Sequence, residues 1–335
     1  MHVIEQWLDI ADDFSEALLL GNGASRAVDN CFSYDSLKLR AEDLGLLNEN
    51  VTKLFEFFNT SDFELVLRLI WQASNVNKAL NIADGNTYEA YIHVRECLIN
   101  AVQDIHPQHA DILEHLPHTY HFTKRFNTIL SLNYDIFLYW TMMYGNDRQD
   151  LHKFKDCWIR AEFDENWEDY RQSFNDYDRD VSLVFYPHGN LVLARNNIEC
   201  ESKLAGRSSN LLDSILTSWR SESYIPLFVS EGTSPQKISS INNSHYLSTV
   251  YREVIPSITD NLVIYGWDFG QHDIHILNRL KKTTIRTIAV SVFQRNQAFC
   301  NRVEQMIHDY IRNDIEVVFF DSASPGCWKN PVNAD

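Results

Sequence analysis

Short apolar runs closed by glycine or small polar residues alternate along this chain with stretches in which apolar residues recur every three or four positions. The first run, residues 16–20, contains Ala17, Leu18, Leu19 and Leu20 and stops at Gly21-Asn22-Gly23-Ala24-Ser25. That order reads as a buried strand, a glycine turn and a helix. The same pattern returns at 128–132, which ends on Asn133-Tyr134-Asp135 and leads into helical residues from 136 to 140. Further runs at 182–186, 225–229, 261–265, 285–290 and 315–320 read as strands, with helical periodicity at 244–256, 272–282 and 296–312. Short apolar strands alternating with helices predict an α/β fold: a Rossmann-like, doubly wound parallel sheet with helices on both faces.

Two stretches interrupt that rhythm. From 36 to 121 the crowding of Phe55, Phe58, Phe63, Leu65 and Leu67, and then the spacing of Tyr88, Tyr91, Val94, Leu98 and Val102, predict a helical insertion after the first βα unit. From 150 to 180 Trp158, Trp167, Tyr170, Phe174 and Tyr177 stand among acids without a clean period. This reads as an irregular excursion whose aromatics form either a contact or lid surface or a satellite core. With no repeat and no low-complexity linker, residues 1–335 read as one domain.

Charge removes several classes of function. Lys+Arg 29 against Asp+Glu 46 gives a net charge of −17, which disfavours direct binding to nucleic acid or to anionic lipid. The start lacks a basic segment followed by an apolar one, and no run of eighteen apolar residues exists, so neither a secretory leader nor a membrane span is expected. Six scattered cysteines without a Cys-x-x-Cys pair read as reduced thiols in a cytoplasmic protein.

Glycine is scarce. Eleven in 335 residues is about half the usual share of roughly 7%, and Gly21, Gly23, Gly189, Gly232, Gly266 and Gly270 all follow expected strands. In an open parallel sheet that carboxyl edge is where ligands bind. The turn Gly21-Asn22-Gly23 opens a helix, so its N–H groups are expected to face a phosphate, with Arg26 beside them. It is not Gly-x-Gly-x-x-Gly, because Arg26 holds the third glycine position, and no acidic ribose reader follows on a second strand; both points argue against a nicotinamide-dependent oxidoreductase. Asn133 at a strand tip suits positioning of a water or sugar hydroxyl. Asp135 is either a ligand contact or an Asx turn opening the next helix. His188, between Pro187 and Gly189, is placed like a general base, against the alternative of a structural histidine. His106, His109, His115, His118 and His121 form a rival cluster, read as a solvated surface in preference to a metal site.

Taken in order, Gly21-Asn22-Gly23-Ala24-Ser25, Ser131-Leu132-Asn133-Tyr134-Asp135, Pro187-His188-Gly189 and Tyr265-Gly266-Trp267-Asp268-Phe269 resemble the sirtuin-like NAD-binding fold. Glu231-Gly232-Thr233-Ser234-Pro235-Gln236-Lys237, and the stretch from Tyr265 to Ile276 with Asp273 and His275, are similar to strings of a bacterial branch long labelled a domain of unknown function. The resemblance covers residues 16 to about 320. It implies that Asn133 and His188 act on the nicotinamide–ribose bond of NAD, which is the substrate, with no metal. Gly21, Asn22, Gly23, Ser25, Arg26, Asp135, Ser230, Thr233, Ser234, Gly266 and Asp273 are then expected to hold the dinucleotide. The four-cysteine zinc ribbon of protein-deacylating sirtuins is missing, which points to the NAD-hydrolysing proteins of anti-phage abortive infection. The family also implies a homo-oligomer, controlled by a separately encoded partner: a nucleotide-pyrophosphatase-like subunit, a ring ATPase or a guided nucleic-acid binder. In keeping with this, the stretch after the last expected strand is too short to fold as a sensor. The alternative function is a nucleotide or ADP-ribose sensor that binds without turnover.

Overall fold

The computed structural model describes residues 1–33, 36–148, 150–172, 180–196, 198–229 and 231–332. Its strands are β1 (Ile4–Glu5), β2 (Ala17–Leu20), β3 (Thr128–Ser131), β4 (His152–Lys155), β5 (Trp158–Ile159), β6 (Glu162–Phe163), β7 (Asp180–Phe185), β8 (Gly189–Arg195), β9 (Glu201–Lys203), β10 (Ile225–Phe228), β11 (Thr259–Tyr265), β12 (Thr284–Val292) and β13 (Glu316–Asp321). Eight of them form one sheet in the order β1-β13-β12-β11-β2-β3-β7-β4, and every pairing in it is parallel. Parallel strands need helical crossovers that cover both faces. The sequence shows this directly, since every residue of β2 and β3 is buried. Leaving aside the edge strands β1 and β4, the spatial order from β7 to β13 is the 3-2-1-4-5-6 of a Rossmann sheet.

One strand departs from expectation. The apolar run at 225–229 was expected in the parallel sheet; instead β10 pairs antiparallel with β8 in a separate sheet of order β10-β8-β9. The turn after β7 explains it. Gly189 takes φ +76°, and a Cβ there would come 2.3 Å from the carbonyl oxygen of Leu227, so only glycine lets the chain reverse into β8 against β10. Pro226, which has no N–H to give, lies in β10 at the edge of that sheet, the position that tolerates it. The short edge strands β1 and β4 add to the expected set.

The stretch 36–121 is helical, as its periodicity requires: Leu37–Asp43, Glu49–Phe58, Phe63–Ala79, Gly85–Ile105 and Leu116–Thr123. Ser36, Asn48, Asp62 and Asp84 cap the first four, each accepting a backbone N–H from the first turn. The histidines here do not gather. His106 is buried, not solvated, and its Nε2 accepts from the backbone N–H of Ile136 at 3.2 Å. In the excursion Trp158 and Trp167 are buried, with Trp158 against Tyr246 and Trp167 against Phe185. Trp158 and Trp167 thus belong to the main core, with Tyr170 half-buried against it; Phe174 and Tyr177 lie outside the described residues. All six cysteines are free. Among the described residues no helix is long and apolar enough to cross a membrane.

Candidate functional site

The strand order reverses between β2 and β11, and a crevice opens there at the carboxyl edge. It is tightly built. Gly21 N–H donates to the carbonyl of Tyr265 at 3.0 Å and Gly23 N–H to that of Gly266 at 2.7 Å. A Cβ on Gly21 would meet Trp267 Cα at 2.5 Å, and one on Gly266, whose φ is +70°, would meet Ala24 N at 2.3 Å. The glycines thus serve the contact between two turns. This corrects the phosphate expectation: the Gly21 and Gly23 N–H groups are engaged within the protein, and the exposed face of the turn is Asn22 with Arg26, whose guanidinium has no partner among the described residues.

A cavity of about 450 Å³ fills the crevice, within the range of small-molecule sites. Gly21, Asn22, Gly23, Arg26, Asn133, Asp135, His188, Gly266 and Asp273 all line it. Ser25 lies beneath. Its hydroxyl donates to Asp135 Oδ2 at 2.5 Å and accepts from Asn133 Nδ2 at 2.9 Å, so it positions both residues and is not itself open to a ligand. Asn133 Nδ2 also donates to the carbonyl of Gly21 at 3.0 Å. That acceptor-only partner fixes the amide orientation and leaves Oδ1 for the cavity. Asp135 is the Asx turn: its Oδ1 accepts from Phe137 N–H at 2.9 Å, and burial pushes its carboxyl up. Asn190, at the start of β8, donates to the backbone carbonyl of Asp135, and His188 accepts through its own carbonyl from Val229 N–H at 2.7 Å. The small sheet therefore holds the two strand tips in place.

Thr233 and Ser234 stand elsewhere. They line an adjoining cavity of about 880 Å³ that shares His272 as a wall and reaches Lys38 and Phe55 of the insertion. Thr233 caps the helix Ser234–Asn242, and the Ser234 hydroxyl accepts from His275 N–H at 3.1 Å. Ser230 lies outside the described residues.

Sequence reasoning missed three residues at the site. Lys237 is buried, lines the cavity and donates to Asp273 Oδ1 at 2.8 Å. Glu231 accepts from Leu37 N–H at 2.7 Å, tying the loop after β10 to the insertion, and burial raises its carboxyl to about 7. His275 is fully buried with Nε2 2.9 Å from His188 Nε2. Lys237 and His275 stand inside the two strings quoted above, but nothing in those strings pairs them with Asp273 or His188. Burial, then Lys237, pushes His188 well below the ordinary imidazole range. Burial pushes the Asp273 carboxyl up, but the Lys237 ammonium bonded to it outweighs this and holds the group below the carboxylate range.

The ligating atoms of His188, Asp273 and His275 lie within 4.8 Å of one another, close enough to share an ion. The Lys237 ammonium on Asp273 already supplies a cation there, so these residues fit a charge-balanced network better than a metal centre.

Residues 18–328 match the family described as a domain of unknown function, DUF4917. The chain belongs to this family. No curated protein sequence matches it. For a DUF4917 domain the match has a structural sense: it begins inside β2 and ends beyond β13, so it takes in both sides of the crevice, the insertion and the small sheet together.

Proposed function

We propose that the chain hydrolyses NAD at the nicotinamide–ribose bond. What supports the reading is one convergence. Asn133 and His188, the pair that the resemblance assigns to bond cleavage, stand far apart in sequence yet line one cavity at the switch point of a Rossmann-ordered sheet. In the reaction the carbon–nitrogen bond electrons leave with nicotinamide, which departs neutral. Water adds to the oxocarbenium-like carbon and gives up a proton. Asn133 Oδ1 orients that water or a ribose hydroxyl; a neutral His188 accepts the proton. Arg26, a cavity-wall cation with no partner among the described residues, takes the diphosphate. The product is ADP-ribose or a cyclised form.

In this reading the protein is a cytoplasmic effector of anti-phage abortive infection. It is a homo-oligomer held silent until a partner, one of the three kinds named above, shifts its population. Purified chain incubated with NAD, alone and with candidate activators, is expected to release nicotinamide, with His188→Ala and Asn133→Ala each losing about 10²-fold or more. Retained hydrolysis in both variants sinks the assignment. A second reading, a nucleotide or ADP-ribose sensor, draws on the engaged Gly21 and Gly23 N–H groups and the internally paired His188. Tight NAD binding with no release under any activating condition decides for it.

A further inference from the structure

Behind the cavity wall lies a pair of imidazoles that the proposed chemistry does not yet explain. His188 Nε2 faces His275 Nε2 at 2.9 Å, so one proton lies between two nitrogens and the two rings must be complementary tautomers. Burial holds His275 down to about 4, and His188 lies lower than its ordinary range as well, so both rings are neutral near pH 7. Among the described residues His188 Nδ1 has no hydrogen-bond partner; Nε2 is turned to His275 while His188 lines the cavity, so Nδ1 is the nitrogen left for it. His275 Nδ1 is enclosed and makes no hydrogen bond of good geometry. The carbonyl of His272, one turn earlier, is the backbone group that favours a proton on this ring. With a proton on His275 Nδ1, its Nε2 can only accept.

We propose that His275 is a positioning residue: it accepts the Nε2 proton of His188 and holds His188 in the tautomer whose bare Nδ1 faces the cavity. Asp273 Oδ1, 3.9 Å from His188 Nε2, then stabilises the imidazolium that forms when Nδ1 takes a proton. The His275 backbone, and not its ring, is tied at two points, to Ser234 and to Tyr251. The backbone N–H of His275 donates to Ser234 Oγ at 3.1 Å, and its backbone carbonyl accepts from Tyr251 Oη at 3.1 Å.

This rests on the NAD reading for its purpose but not for its geometry, and the test separates the two. Nitrogen-15 NMR of the imidazoles in the full chain, without substrate, is expected to show His188 with a bare Nδ1 and a protonated Nε2. His275→Gln, which keeps an acceptor, retains that tautomer; His275→Phe loses it. Nicotinamide release by His275→Phe is expected to fall by about 10²-fold, near the lower end of what a positioned general base supplies, with the acidic limb of the pH profile displaced, and His275→Gln restores most of it. A proton on His188 Nδ1 in the wild-type spectrum overturns the proposal, whether or not the chain cleaves NAD. An unchanged His188 spectrum in His275→Phe also overturns it. The expected spectra with no nicotinamide release would remove the NAD reading and leave the positioning role standing.

Discussion

Replacing Gly266 by alanine tests the crevice where its geometry is tightest. The added methyl carbon would lie 2.3 Å from Ala24 N and 2.6 Å from Gly23 C, closer than ordinary contact by about 1 Å. Both opposing atoms are backbone, so no rotamer change relieves the clash. Three contributions follow. Alanine at φ +70° costs about 1 kcal/mol. Forcing the two turns apart adds about 1–3 kcal/mol, the usual range for overpacking. The 2.7 Å bond from Gly23 N–H to the Gly266 carbonyl is stretched, for about 1 kcal/mol more. Together they predict a loss of at least about 3 kcal/mol. Gly45→Ala is the control: its φ is +65° but no atom lies within 4 Å, so only the conformational cost of about 1 kcal/mol applies. Gly85→Ala, at the first position of its helix with open space around it, is expected to stabilise by about 0.4–1 kcal/mol. Urea unfolding followed by tryptophan fluorescence reads all three as midpoint shifts at constant slope. If Gly266→Ala unfolds at the same midpoint as Gly45→Ala, the turn-to-turn contact is not what requires glycine, and the argument fails.

Three more expectations can be checked on the purified chain. Burial raises Asp62 and Glu64 to about 7. An acid whose folded value exceeds its unfolded one gives stability that is complete near pH 4 and lost as pH rises through 7, so Asp62→Asn, which keeps the helix cap, should gain on wild type by on the order of 1 kcal/mol per pH unit between pH 5 and 7. Buried His106, His152, His188 and His275, all shifted down, act in the opposite direction, but they cancel in the difference; a gap that does not vary with pH refutes the burial argument. Ser25→Ala leaves Asp135 Oδ2 and one of the two Asn133 Nδ2 hydrogens unpaired and should lower stability by about 1–3 kcal/mol, whereas Ser25→Thr recovers part of it; equal stability of alanine variant and wild type would show that the bridge is dispensable. Cys31 and Cys200 are exposed while Cys97, Cys157, Cys300 and Cys327 are buried, so native protein should take two maleimide labels quickly and the other four only on unfolding.

Much of the parallel sheet was legible because β2, β3 and the inner part of β11 are buried on both faces and so appear as uninterrupted apolar runs. The run at 225–229 looks the same, and composition cannot distinguish a parallel core strand from an antiparallel one. The available signal was Pro226, which lacks the N–H a central strand must donate and therefore marks an edge. Glycine scarcity pointed to the carboxyl edge where the crevice opens, but not to the turn that Gly21 and Gly23 pack against. Their contact is Gly266, more than two hundred residues away, and no local pattern reports a pairing at that distance.

The charges at the site were the least legible part, for a physical reason. Lys237 lies in a helix whose sequence is polar overall, and lysine in such a place is ordinarily solvated. It is buried here only because β11 ends in a loop that brings Asp273 to 2.8 Å of its ammonium. Asp273 in turn faces His188, which enters from the far side of the crevice on the turn after β7. Each of these side chains is unfavourable to bury alone, and each is tolerable with the others present. Residues of this kind cannot be read one at a time. Asn133 and His188 drew notice because a strand tip gives a single polar residue local meaning, whereas the pairing of Asp273, named from its string alone, with Lys237 and His188 arises only when three distant segments close on one another. If the NAD reading holds, an anion bound beside Arg26 would add to the field at Lys237 and His188 together, and binding would then be coupled to the protonation of His188 through the electrostatics of one small cavity.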